Sequence, residues 1–169
     1  GNPQFEYPIG SRVIFSTVLH PQGGSWAEYA VAKYASLILL PQNMTFSQGA
    51  AIPVAGKTAI ESMNALNIKE RETIFIAGAS GAIGSFVIQL AEQKIARIAA
   101  SASAHNQEYM ELLGAERTVD YNDSDWQENI MSWTGGKGVD AALAIHPETA
   151  KECLKIVKDG GRLVTVSGD

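Results

Sequence analysis

One segment constrains the fold of this chain more than any other, because an apolar run leads through a glycine-rich turn into an amphipathic helix. Residues Thr73–Ala77 are almost wholly apolar, which is typical of a strand buried on both faces of a sheet. The turn that follows, residues 77–85, reads Ala-Gly-Ala-Ser-Gly-Ala-Ile-Gly-Ser. Beyond it, apolar residues recur at the spacing of one helix face: Ile83, Phe86, Val87, Leu90 and Ala91.

The rest of the C-terminal part repeats this alternation of strand and helix. The predicted strands are Ile95–Ala100, Thr118–Asp120, Val139–Ile145 and Arg162–Val166. The predicted helices are Gln107–Leu113, one with a capping box of Ser124 and Gln127, and one that opens at Pro147 and turns Ala150, Cys153, Leu154 and Val157 inward. Because such units join by right-handed crossovers, the sequence predicts an α/β fold with a doubly wound parallel sheet.

The first part of the chain has a different pattern. Short apolar or alternating runs at Arg12–Phe15, Ala27–Val31 and Ser36–Leu40 are separated by prolines and glycines, which predicts a small, mostly β unit. Ser47 is the predicted N-cap of a helix that runs toward Leu66 with a kink at Pro53.

Composition excludes several classes of protein. Of the 169 residues 46% are apolar and 18% charged, so a disordered chain is excluded. The net charge of −5 argues against nucleic acid or an anionic membrane as a partner, and favours a small-molecule substrate. No apolar run is long enough to span a bilayer, and no signal-peptide pattern opens the chain. The single cysteine, Cys153, excludes an internal disulfide, so we expect a cytoplasmic protein.

The glycine-rich turn has the chemistry of a phosphate-binding loop. Gly81 would let a phosphate approach the backbone, and Gly84 would let the helix pack closely on the strand. The first amides of the helix and its dipole would then face the phosphate. The strict dinucleotide fingerprint fails, because Ala79 stands where its first glycine belongs. In its strand–turn–helix context the pattern nevertheless predicts dinucleotide binding.

The end of the second strand bears on which dinucleotide binds. Enzymes that use NAD tend to place an acidic residue there for the ribose hydroxyls, whereas residues 101–106 read Ser-Ala-Ser-Ala-His-Asn. Because a carboxylate would repel a 2′-phosphate, its absence favours NADP(H) over NAD(H). Ser101, Ser103, Asn106 and His105 are candidate phosphate ligands, and for the two serines a merely polar loop is the alternative.

Two other motifs match known patterns in the wrong context. Residues Gly56–Thr58 resemble the end of an NTPase phosphate loop, but Ala51 replaces the required glycine. Tyr29 and Lys33 have the spacing of the dyad of short-chain reductases, but they precede the nucleotide loop instead of following it.

The sequence predicts no metal site, and we assign no catalytic residue. His20, His105 and His146 are scattered and lack partners at ligand spacing, so a zinc site within this chain is not expected. We interpret His146 as a residue at a helix start and Cys153 as a buried small hydrophobe.

Nine short motifs follow one another in a recognisable order. They are Ile9-Gly10-Ser11-Arg12-Val13, Trp26-Ala27-Glu28-Tyr29, Gln48-Gly49-Ala50-Ala51-Ile52-Pro53, Lys57-Thr58-Ala59, the glycine-rich turn, Leu113-Gly114-Ala115, Thr118-Val119-Asp120-Tyr121, Gly138-Val139-Asp140 and Gly160-Gly161-Arg162-Leu163-Val164. Together they resemble the medium-chain dehydrogenase/reductase superfamily, in its zinc-independent quinone oxidoreductase-like branch.

The resemblance implies two domains and a reductase. Residues 1–45 would be the C-terminal part of a GroES-like catalytic domain, and residues 46–169 a Rossmann-type dinucleotide-binding domain that is incomplete at its C-terminus. The parent enzyme would transfer hydride from NADPH to a quinone, an enone or a similar activated double bond, and this fragment alone would be inactive. A zinc-dependent alcohol dehydrogenase is an alternative, although Val54 replaces a metal-binding cysteine of that branch. A non-catalytic nucleotide-binding module is another.

The resemblance also implies roles for single residues. Gly81, Ala82 and Ile83 would line the pyrophosphate, and Thr58 would contact the nicotinamide end. The adenosine ribose and its phosphate would be surrounded by Ser103, Asn106 and Tyr121. With Ser80 of the turn and Ser101, these are the candidate cofactor-binding residues. The parent is expected to be a homodimer, and the fragment would self-associate through the exposed edge strand Arg162–Val166.

Overall fold

The computed structural model describes residues 7–17 and 24–166. The chain divides into two compact units, Gly1–Val54 and Ala55–Asp169. The assignment of a GroES-like part to residues 1–45 and of a cofactor domain to residues 46–169 stays a prediction.

The first unit contains only short elements. Strand β1 (Val13–Ile14) pairs antiparallel with β2 (Ile38–Leu39), and a 3₁₀ turn precedes β2 at Tyr34–Ser36. The run Ala27–Val31 forms no strand, so that expectation was wrong. A strand needs a neighbour for its backbone hydrogen bonds, and this run is exposed and unpaired among the described residues.

Helix α1 (Phe46–Ala50) begins two residues earlier than expected. Its N-cap is Thr45 and not Ser47, because Thr45 and Gln48 form a reciprocal capping box. The Gln48 amide donates to Thr45 Oγ1 over 3.2 Å, and the Thr45 amide donates to Gln48 Oε1 over 2.8 Å. Pro53 lies in a π-helical segment, Ile52–Gly56, that interrupts the helical path before α2 (Lys57–Leu66).

The second unit is an α/β unit with five parallel strands, as the sequence predicted. The strands are β3 (Thr73–Ala77), β4 (Arg97–Ala102), β5 (Arg117–Asp120), β6 (Val139–Ala144) and β7 (Val157–Thr165), in the order β5-β4-β3-β6-β7. The helices that follow α2 are α3 (Ala82–Glu92), α4 (Gln107–Leu112), α5 (Trp126–Trp133) and α6 (Thr149–Leu154). Strand β7 lies at an edge of the described sheet, and its pairing with a second copy stays a prediction.

The helices cover both faces of the sheet, and residues of β3 alternate between two cores. Ile74 and Ile76 pack with the core that contains Val87 and Ala91 of α3. Phe75 packs in the other core, where its ring stacks on Trp126 with 5.3 Å between the ring centroids. Burial on both faces explains why β3 reads as a continuous apolar run.

Some element boundaries differ from the sequence-based ones. Strand β4 begins at Arg97, because Ile95 has a positive φ of 56° and is 65% exposed. Helix α6 ends at Leu154, which is 60% exposed and not inward-facing as predicted. Val157 lies in β7 opposite Val139, so ladder pairing replaces the predicted last helical turn.

The predicted capping box of Ser124 and Gln127 does not form. The N-cap of α5 is Asp125, and its side chain makes no capping hydrogen bond. Gln127 Nε2 instead donates over 2.6 Å to Glu152, a charged acceptor on α6.

The helices of the described ranges contain no candidate for a membrane-spanning segment, because each is too short or too polar.

Candidate dinucleotide-binding site

The strand order reverses between β3 and β6, which places a crevice at their carboxyl ends. Strands β4 and β5 follow β3 toward one edge of the sheet, whereas β6 and β7 lie toward the other. In open α/β sheets ligands bind at the carboxyl ends of the strands at such a reversal. The glycine-rich turn leaves β3 at this point and leads into α3 at Ala82.

The turn is tight because of two glycines. Gly78 has a φ of +77°, a left-handed conformation that glycine adopts without strain. Gly84, in the first turn of α3, lies so close to the loop that a Cβ there would be 2.4 Å from the Ala79 carbonyl oxygen. The close packing of helix on strand that the sequence predicted for Gly84 is therefore present.

Gly81 has no such structural constraint. It is the N-cap of α3, with φ −75° and ψ 172°, and a Cβ there would meet only the Gly78 carbonyl oxygen at 3.6 Å. A glycine N-cap has no side chain to accept from the first helical amides, so these amides and the dipole remain available to an anion. The turn therefore fits a phosphate group that approaches the backbone at Gly81.

A polar cluster lies beside this turn at the end of β4. Asn106 Nδ2 donates to Ser80 Oγ and to Ser103 Oγ, each over 3.3 Å. His105 Nε2 lies 3.5 Å from Ser103 Oγ. The four side chains thus connect the glycine-rich turn to the 101–106 loop, which contains hydroxyl, amide and imidazole groups but no carboxylate.

Asp120, at the end of β5, accepts a hydrogen bond from the backbone of the same loop. Its Oδ2 accepts from the Ala104 amide over 2.8 Å, and its Oδ1 accepts from Asn122. The hydrogen bonds from Asn122 and Ala104 hold the pKa of the Asp120 carboxyl below its usual value. Its carboxylate oxygens therefore already accept protein donors and fix the position of the loop.

The remaining predicted residues are separate from that cluster. Ser101 is buried, and its Oγ accepts from the Gly78 amide at a long 3.4 Å, so it supports the turn from below. Thr58 is half-buried in the first turn of α2, whereas Tyr121 is exposed just after β5. The cofactor roles of Ser80, Gly81, Ala82, Ile83 and the other candidate residues stay predictions.

Sequence reasoning missed three contacts of the turn. Tyr109 donates to Ser85 Oγ over 3.2 Å, and Ser85 Oγ donates to the Gly81 carbonyl over 2.8 Å. The helical spacing of Ser85 and Gly81 could have indicated that contact. His146, beyond β6, packs on Gly78, and only the strand order could have revealed this.

The described residues contain no zinc-binding set. Across residues 7–17 and 24–166, no group of three or more His, Cys, Asp or Glu side chains is placed to hold a metal. Burial raises the pKa of Cys153 to about 12, which disfavours a metal-binding thiolate. His20 lies outside the described residues.

The fold and the turn define a Rossmann-type protein, with a parallel sheet whose glycine-rich turn lies at the switch point. A family profile described as zinc-binding dehydrogenase matches residues 82–169. The chain belongs to this family, within the medium-chain dehydrogenase/reductase superfamily.

Three similar proteins illustrate the family. A quinone-oxidoreductase homolog, chloroplastic, of Spinacia oleracea is 35% identical over 72% of this chain and 38% of its own length. An NADPH-dependent alkenal/one oxidoreductase, chloroplastic, of Arabidopsis thaliana is 33% identical over 87% of this chain and 37% of its own length. A solved NAD-dependent alcohol dehydrogenase aligns with a TM-score of 0.79 and 30% identity, over 84% of this chain and 42% of that one. The chain thus spans less than half the length of these relatives.

Proposed function

We propose that this chain is the cofactor-binding part of an NADPH-dependent reductase that transfers hydride to a quinone, an enone or a similar activated double bond. The observation that carries the proposal is the N-terminus of α3 at Gly81, which lacks a capping side chain and lies at the switch point beside the acid-free cluster of Ser80, Ser103 and Asn106. A turn of this kind suits a pyrophosphate, and the cluster beside it suits a further phosphate.

The residues at the turn have distinct roles in this proposal. The amides of Ala82 and Ile83 face the pyrophosphate, which approaches the backbone at Gly81. Ser103 and Asn106 donate to the 2′-phosphate of the adenosine ribose. A relative named as NADPH-dependent supports the choice of NADP(H), as does the absence of a carboxylate in residues 101–106.

The remaining candidates would contact parts of the cofactor other than its phosphates. Thr58 contacts the nicotinamide end, and Tyr121 lies against the adenosine ribose. The bound cofactor supplies hydride from the nicotinamide C4, and this chain orients it. The substrate class is suggested by the quinone and alkenal/one oxidoreductases among the relatives. The proposed reaction uses no zinc.

Isothermal titration with NADPH and NADH tests the cofactor assignment. We expect NADPH to bind at least about 10-fold more tightly, because charge-assisted hydrogen bonds to the 2′-phosphate each contribute more than neutral ones. The double variant Ser103→Ala/Asn106→Ala should lose this preference while its NADH affinity stays the same. Ser132→Ala, an exposed serine on α5, is the matched control.

Equal affinity for the two nucleotides in the unaltered chain would contradict the NADP assignment. No heat with either nucleotide, from a chain with intact secondary structure, would contradict dinucleotide binding as a whole. A last assay uses a protein as long as the relatives and offers it quinones and enones. If that protein binds NADPH but does not oxidise it, a non-catalytic nucleotide-binding module is favoured instead.

A further inference from the structure

We propose that His146 is a cofactor-recognition residue whose imidazole donates a hydrogen bond to the nicotinamide-side phosphate of the bound dinucleotide. This inference rests on the proposed function, because it names a second contact for the same ligand. Its starting point is a contact across the switch point. A Cβ on Gly78 would lie 2.4 Å from His146 Cδ2 and 3.0 Å from His146 Nε2, so the ring lies directly against the first glycine of the turn.

The sheet order decides which half of the ligand His146 faces. Ala77 of β3 and Ala144 of β6 are register partners, so the loops that leave these strands begin side by side. The cluster of Ser103 and Asn106 lies at the end of β4, on the other side of β3. A dinucleotide whose adenosine half occupies the β4 side and whose pyrophosphate lies on α3 must extend its other half toward β6. His146 is located on that path.

The backbone around His146 is held in place. The Thr149 hydroxyl donates to the His146 carbonyl over 2.7 Å. Two residues after the histidine, Glu148 takes a left-handed conformation with φ 67°, which turns the chain into α6. The ring is therefore presented by a defined turn at the end of a buried strand, and the contact with Gly78 limits its position.

The imidazole is free to bind a ligand. The hydrogen bonds that the structure gives for His146 within the described residues involve its backbone carbonyl oxygen, and the residue is exposed. An imidazole N–H is a suitable donor for a phosphate oxygen in either of its protonation states. Packing in the core does not account for a ring that is exposed and contacts the turn in front of it.

Three ligands of increasing length test the assignment. All three ligands contain the 2′-phosphate. Of the two phosphates of the pyrophosphate, adenosine 2′,5′-bisphosphate contains only the adenosine-side one and adenosine 2′-phosphate 5′-diphosphate contains both, whereas NADPH is the whole cofactor. We expect His146→Ala to leave the affinity for the bisphosphate unchanged and to weaken the diphosphate and NADPH about 10-fold each. His146→Gln, which keeps a side-chain N–H, should recover part of the loss.

A second histidine supplies a crossed control. His105 lies beside Ser103 in the proposed 2′-phosphate cluster, so His105→Ala should weaken all three ligands, including the bisphosphate. Thermal denaturation checks that both variants are folded. Because both side chains are exposed, neither variant should unfold at a much lower temperature.

Several results would overturn the inference. Unchanged affinity of His146→Ala for all three ligands would show that the ring contacts none of them. Tighter binding would show that the ring obstructs the crevice. Loss for NADPH alone would place the contact beyond the phosphate, contrary to the assignment. If the unaltered chain binds none of the ligands, the proposed function fails and this inference fails with it, whereas each of the other results leaves dinucleotide binding intact.

Discussion

Gly81 and Gly84 lie one helical turn apart at the start of α3, yet the structure requires glycine at only one of them. At Gly84 a Cβ would collide with the backbone of Ala79, which cannot move without displacing the turn. At Gly81 the backbone is extended and the space around a Cβ is open. The fold therefore does not account for glycine at position 81, and the proposed contact with a pyrophosphate would account for it.

This contrast predicts opposite behaviour for two alanine substitutions. Gly81→Ala should lower the free energy of unfolding by at most about 1 kcal/mol, the cost of alanine at an N-cap, and should weaken NADPH binding, because the methyl group would face the pyrophosphate. Gly84→Ala should lower the free energy of unfolding by about 1–3 kcal/mol through overpacking. Urea denaturation and isothermal titration measure the two effects. Unchanged NADPH affinity in Gly81→Ala would count against the phosphate site.

At the scale of elements, helix α6 packs on the sheet through one buried side chain, that of Cys153. Cys153 is fully buried in the core below β3 and β6, whereas the neighbouring Leu154 points out and is 60% exposed. The helix therefore contacts the sheet along a narrow line. Burial, with a smaller effect of Glu152, raises the pKa of the Cys153 thiol to about 12.

A thiol of that pKa and burial should be inert in the native protein. We expect Ellman's reagent to leave the folded chain unmodified at pH 8, because the reactive thiolate is scarce and shielded. After denaturation in guanidinium chloride, one thiol per chain should react, since Cys153 is the only cysteine. Rapid modification of the native chain would show that α6 detaches from the sheet.

At the scale of the whole molecule, Asp140 links three strands at the amino-end side of the sheet. Its Oδ2 accepts from the amide and from the hydroxyl of Thr73, each over 2.7 Å, and its Oδ1 pairs with Lys158. Burial raises the pKa of the Asp140 carboxyl, but the hydrogen bonds from Lys158 and Thr73 outweigh it and lower the pKa to about 2. The ionised carboxylate thus stabilises the contact of β3, β6 and β7.

The lowered pKa predicts how stability depends on pH. The pKa of this carboxyl is lower in the folded chain than its ordinary 3.8, so its stabilising effect is complete above about pH 4 and is lost as the pH falls toward 2. Asp140→Asn should therefore cost at most about 2 kcal/mol at pH 7, and the difference from the unaltered chain should have lost most of its size by pH 2. Denaturant titrations across this range measure it, with the exposed Asp123→Asn as control. A difference that is the same at pH 7 and pH 2 would contradict this role.

The strand–helix series could be read from the sequence because its causes are local. Thr73–Ala77 was predicted with its observed bounds, since burial on both faces demands a continuous apolar run. The boundaries at Ile95, Leu154 and Ser47 were wrong, because left-handed backbone, ladder pairing and a competing cap decide them. Such boundaries depend on contacts that the spacing of apolar residues in the sequence does not reveal.

The sequence by itself determined the parallel α/β fold and the tight glycine-rich turn between β3 and α3, because burial pattern and glycine spacing act within a few residues. Only the tertiary structure decided which loops meet at the crevice. The order β5-β4-β3-β6-β7 places His146 on Gly78 and brings Asp120 beneath Ala104. The physical reason is that strand neighbours are chosen by packing of the whole sheet, so residues distant in the chain become neighbours without any local signal.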